Sequence, residues 1–119
     1  MANNNSIIEI LFERFSDIRY VATYINKDLH FRQRENISNS SSSESDKYEE
    51  LIVNPTLLTL ARQRGNIDCG GLNYIVISYG NFNQIIMEIN SGHISICLDK
   101  GADLTKNLQL ILDLVKTHF

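Results

Sequence analysis

Three short runs, LNYIVISY (Leu72–Tyr79), FNQIIMEI (Phe82–Ile89) and HISICL (His93–Leu98), follow one another across Gly80-Asn81 and Asn90-Ser91-Gly92. Runs rich in β-branched and aromatic residues, separated by such short turn signals, fold back on one another as antiparallel strands. Gly-Asn tolerates positive φ at both positions of a two-residue hairpin. Gly92 offers the left-handed position of a three-residue loop. The stretch therefore predicts a three-stranded meander over Leu72–Leu98.

The segments on either side can be read against that meander. Ser6 and Glu9 have the spacing of a capping box. Ile7, Ile8, Leu11, Phe12 and Phe15 then form one helical stripe, ending near Ser16-Asp17. Ile18–Ile25 is apolar on both sides and reads as an inner strand. Asn26-Lys27-Asp28 turns the chain, and Leu29–Ile37, with Arg32, Arg34 and Glu35, reads as an exposed edge strand. Ser38–Asp46 (SNSSSSESD) has no apolar residue and is expected to be a flexible solvated loop, open to phosphorylation.

Tyr48–Val53 fits either an edge strand or a first helical turn. Asn54 then suits an N-cap and Pro55 the first helical position. The helix is expected over Pro55–Arg64, with Gly65 ending it and Arg62 and Arg64 at its negative end. Leu57, Leu58, Leu60 and Ala61 point in two directions, more than one packing contact requires. The second direction suggests self-association. Thr56, Thr59 and Gln63 form the polar remainder and the candidate partner-binding face. Asn66–Gly71 reads as a tight loop. Asp103 reads as the cap of a last helix, Leu104–His118, whose Leu104, Leu108, Ile111 and Val115 share one stripe. The expected order is α-β-β-α-β-β-β-α, an α+β fold in one domain over residues 1–119.

Composition excludes several classes. A net charge of -3 disfavours a nucleic-acid groove. No apolar run is long enough to cross a bilayer and no signal-peptide pattern opens the chain, so a cytoplasmic location is expected, with Cys69 and Cys97 as free thiols. His30, His93 and His118 have no ligand spacing, and the carboxylates read singly at turns and caps. No catalytic, cofactor-binding or metal-binding residues are therefore expected. Ser78 and Ser95 lack the context of a nucleophile elbow.

The element order, with Gly71-Leu72 entering a hydrophobic strand, the Tyr79-Gly80-Asn81 turn and Gly92-His93 before the last strand, resembles the roadblock / dynein-light-chain family over Ser6 to Phe119. The resemblance implies a profilin-like or longin-like sandwich. Its five-stranded antiparallel sheet would have the first and last helices on one face and the middle helix on the other. It also implies a homodimer, with the Leu72–Tyr79 strand pairing with its copy and the middle helices side by side. Leu57, Leu60, Ala61, Leu72, Tyr74, Val76 and Ser78 would form that interface. The implied role is a non-enzymatic regulator or scaffold of a small Ras-like GTPase or a related signalling or motility protein. The alternative is a small-molecule sensor with a pocket between the sheet and the first and last helices. Ile, Leu and Phe dominate those helices, so a filled core is expected there instead.

Overall fold

The computed structural model describes residues 4–119. They form α1 (Asn4–Arg14), β1 (Ile18–Ile25), β2 (Asp28–Gln33), α2 (Ser43–Tyr48), a π-helical turn (Glu49–Val53), α3 (Asn54–Asp68), β3 (Ile75–Ser78), β4 (Phe82–Ile89), β5 (Gly92–Asp99) and α4 (Leu104–His118). The sheet is antiparallel throughout, in the order β2-β1-β5-β4-β3.

Register sets its two faces, because alternate residues of a strand point opposite ways. Val21, Ile96, Ile85 and Val76 stand in one row across the sheet. This face receives α1 and α4, and Ile7, Leu11, Ile18, Ile94, Leu98 and Ile111 are fully buried in its core. Each such side chain contributes roughly 1.5–3 kcal/mol relative to exposure. On the other face Tyr20, Cys97, Gln84 and Ile77 form one row, and Ala22, Ser95, Ile86 and Ile75 the next. This face lies under the helix from α2 to α3, and its buried apolar cluster is Tyr20, Ala22 and Cys97, flanked by Leu29 and Phe82. The expected α+β architecture is present, with two helices on one face and the middle helix on the other.

Several boundaries differ from expectation, each for a local reason. Ser38–Asp46 is not a loop throughout. Ser42 caps α2 by accepting from the Ser45 N–H at 3.2 Å, and Ser43–Asp46 are already helical. The preceding residues are held by Arg19, which donates to the carbonyls of Ser38 (2.7 Å) and Asn39 (3.1 Å). Tyr48–Val53 is helical, so α2 runs into α3 without a break and Asn54 is a buried interior residue instead of a cap. Gly65 does not stop the helix, which continues to Asp68. A Cβ there would sit 3.0 Å from the Gly71 carbonyl carbon, because the chain folds back and Gly71 N–H donates to Gly65 O at 3.1 Å.

β3 is shorter than Leu72–Tyr79: residues 72–74 leave the ladder with β4. β2 ends at Gln33, short of Ile37, before Asn36 takes a positive φ. Ser6 and Glu9 lie inside α1 instead of forming a cap. Neither Gly80 nor Asn81 adopts positive φ, and at the next turn Ser91 does so in place of Gly92. Gly92 is a strand residue paired with Ile25 and Ile89. A Cβ there would stand 1.7 Å from Tyr24 O, so glycine permits the close approach of β5 to the end of β1. Asp103 does cap α4, accepting from the Lys106 N–H at 3.1 Å.

Candidate interaction surface

Among the described residues β3 pairs with β4 alone, so its outer side is a sheet edge. Such an edge carries backbone N–H and C=O groups ready to pair with another strand. The opposite edge, β2, carries His30, Arg32 and an exposed Phe31. The Arg32 guanidinium lies 4.8 Å above the Phe12 ring. Arg34 donates to the carbonyls of Phe12, Phe15 and Ile18 and so closes the end of α1. The β2 edge is thus charged and tied to the body of the protein, whereas β3 is a short run of Ile, Val, Ile and Ser.

Apolar side chains stand exposed on α3, which packs over β4, the strand next to β3. Leu60 is 60 % exposed and Ile67 76 %, with Leu57 at the border of exposure. Tyr48, Ile52, Thr56 and Leu60 follow at four-residue spacing, which keeps neighbours on one side of a helix. Tyr48 and Ile52 are also more than half exposed, so the apolar stripe extends along the helix beyond the leucines seen in sequence.

The expected interface residues divide between the two faces of the sheet. Leu57, Leu60 and half-buried Ala61 lie together on α3. Val76 points the other way, packing against the α1 and α4 core, and Ser78 shares its side of β3. Ser78 Oγ accepts from Lys100 Nζ, which also donates to Tyr79 O at 2.6 Å. Leu72 and Tyr74 precede β3 and line a groove of about 660 Å³ with Met87, Leu108, Leu112 and Lys116. The residues of β3 on the α3 side are Ile75 and Ile77, a consequence of register that sequence alone leaves open. Thr56 and Gln63 are exposed, and Thr59 is half-buried. Thr56 Oγ1 donates to Ile52 O at 2.6 Å. Arg62 is paired with Glu88, and Arg64 with Asp68 at 2.6 Å, so neither arginine sits at a helix end as expected.

Beneath this helix lies a polar layer that sequence reading missed. Glu50, with no exposed surface, accepts from Tyr20 Oη at 3.0 Å and Asn54 Nδ2 at 3.0 Å, and its Oε1 is 2.8 Å from His93 Nε2. The wide π turn sets adjacent Glu49 and Glu50 both against the sheet, where Glu49 accepts from Gln84 Nε2. Burial pushes the Glu49 carboxyl up to about 7, with the neighbouring Glu50 and Asp46 charges adding to the rise and the Gln84 bond opposing it. Burial likewise raises Asp46, and pushes the Tyr20 hydroxyl and the Cys97 thiol up. The available signal was the polar residues Gln84, His93 and Ser95 within otherwise apolar strands, but their partners lie far away along the chain. Among the described residues, no group of His, Cys, Asp and Glu is arranged to hold a metal ion, and no helix is long and apolar enough to cross a membrane.

Sheet order, helix placement and open edge together define a roadblock/longin-like sandwich. Solved structures share this fold along nearly the whole chain. The protein is similar to MglB in a tetrameric arrangement, with a TM-score of 0.59, 11% identity, and 97% of this chain and 91% of that one covered. It is also similar to MglC from Myxococcus xanthus, with a TM-score of 0.55, 8% identity, and 97% and 98% covered. No protein-family model matches the sequence, and no curated protein matches it.

Proposed function

We propose that the protein is a non-enzymatic dimeric regulator or scaffold that binds a small Ras-like GTPase or a related signalling or motility protein. The observation that carries the reading is the exposed β3 edge, together with an apolar stripe on the helix that covers the neighbouring strand β4. Two copies related by a two-fold axis would pair β3 with β3 and cover Leu57, Leu60 and Ile67, because an isologous contact brings one patch against itself. Ile75 and Ile77 lie on the same side as that stripe and join the expected interface. The sheet would then run continuously through both copies. The likeness to MglB, described in a tetrameric arrangement, supports a self-associating fold.

The GTPase partner follows from the roadblock resemblance, and Thr56, Thr59 and Gln63 are its proposed contact face. Affinity capture from the native host, with and without a GTP analogue, tests it. Nucleotide-dependent recovery of a small GTPase, lost in a Thr59→Arg variant that still dimerises, is the expected result. Equal recovery by that variant, or no GTPase in either condition, contradicts the partner assignment.

A second reading, small-molecule sensing, rests on the groove beside α4. Ile7, Leu11, Ile96 and Ile111 pack together between α1, α4 and the sheet, and Met87 and Leu112 of the same cluster also line the groove. The groove opens at the edge of the sheet. Native mass spectrometry showing a retained small molecule, lost on Leu108→Trp substitution, would favour this reading.

A further inference from the structure

The middle helix is held to the sheet in two different ways along its length. At its α3 end Leu58 is buried. From Ser43 to Val53 the buried contact is Glu50, and the apolar patch beneath is small. Three carboxylates, Asp46, Glu49 and Glu50, converge there within little more than one helical turn. A narrow space of about 10 Å³, open at its rim, lies among Arg19, Tyr20, Gln33, Asp46, Glu49 and Cys97, with Asp46 and Glu49 half-buried and Glu50 fully buried beside them. Like charges held this close in a poorly solvated site repel strongly.

The groups facing these carboxylates do not offset that repulsion evenly. β1 contributes Arg19 and Tyr20, β5 contributes His93 and Cys97, and Tyr79 faces Glu49 from the end of β3. Gln33 and Gln84 are neutral. Arg19 is a fixed cation, but its guanidinium is engaged by the carbonyls of Ser38, Asn39 and Asn81 and lies 3.6 Å from Asp99. Glu50 has three partners, whereas Glu49 has Gln84 and Asp46 has Ser41 at 2.5 Å.

We propose that Ser43–Val53 is a proton-operated flap, docked on the sheet at acidic pH and loosened as Asp46 and Glu49 ionise beside the buried Glu50. Burial favours the neutral acids, so docking takes up protons and undocking gives them back. The raised Glu49 carboxyl places the change between pH 4.5 and about 7. The π turn marks where the flap parts from α3, a irregularity often found at hinges and functional sites. Loosening would carry Tyr48 and Ile52 out of line with Leu60. It would also uncover Tyr20, Cys97 and Gln84 on the sheet. The inference does not depend on the dimer or on any particular partner.

Hydrogen exchange on the full chain at pH 5.5 and pH 8, corrected for the intrinsic chemical rate, tests it. The backbone amides of residues 46–53 should lose about ten-fold or more of their protection at the higher pH, while the α4 amides keep theirs. The Glu49→Gln variant, which keeps the bulk without the charge, should stay protected at both values. Equal protection of the flap at both pH values in the natural sequence overturns the proposal, as does a parallel loss in α4, which would report global opening. If Glu49→Gln does not fold, Asp46→Asn replaces it with the same expectation, and the natural protein alone still decides the outcome.

Discussion

Glu50 Oε1 and His93 Nε2 lie 2.8 Å apart with both side chains buried, and they join the π turn to β5 across 43 residues of sequence. His93→Ala removes one of the three partners of the buried Glu50, and with it a buried hydrogen bond, so it should cost about 1–3 kcal/mol. Urea unfolding of the two proteins measures it, and a loss below about 0.5 kcal/mol would show that the carboxylate finds another partner or water.

Gly92, at the start of β5, and Gly80, in a turn, should respond differently to an added Cβ. Gly92→Ala places a Cβ against the Tyr24 carbonyl, which β1 cannot move without losing its pairing with β5, so a loss above about 3 kcal/mol is expected. Gly80→Ala meets no atom within 4 Å and no positive φ, so it should stay within about 0.5 kcal/mol. Thermal unfolding of the pair checks the contrast.

Leu60 and Ile96 separate surface from core. Ile96 is fully buried, and Ile96→Ala should cost about 2–5 kcal/mol through lost burial and an unfilled cavity. Leu60 is mostly exposed, so Leu60→Glu should change the stability of the isolated subunit by about 0.5 kcal/mol at most while weakening self-association. Denaturant midpoints read at low and high protein concentration distinguish the two effects.

The carboxyl of Glu49 also sets a pH dependence of global stability. Its ordinary value is 4.5 and burial raises it to about 7 in the folded chain. Between those values the folded state holds more protons than the unfolded one, so this group's contribution falls as pH rises through the interval and is level above it. Urea midpoints at pH 5 and pH 7.5 should differ less in Glu49→Gln than in the natural sequence. An identical difference in both would assign the dependence to other groups.

Much of the sheet was legible because it rests on local rules. Alternation and turn residues place β4, β5 and β1, and the 3.6-residue stripe places α1 and α4. The middle helix was misjudged at both ends because distant contacts override its local signals. Gly65 looks like a terminator, yet its missing side chain makes room for Gly71. The serines of 38–46 look unfolded, yet Arg19 gathers the carbonyls ahead of α2 and Ser42 caps it. Glu50 looks like a surface residue until Tyr20 and His93, from two separate strands, are brought to it by the sheet. On the candidate interaction surface, the α3 leucines were visible as a second apolar direction. Which β3 side chains share their side of the sheet is a matter of register, and it selects Ile75 and Ile77 instead of Val76.

Sedimentation equilibrium of the natural chain at micromolar concentration addresses the central claim most directly. A mass of twice the 13.6 kDa subunit, reduced to one subunit by Leu60→Glu, is the expected result. A single subunit mass across the whole concentration range would contradict the pairing of β3 with a second copy.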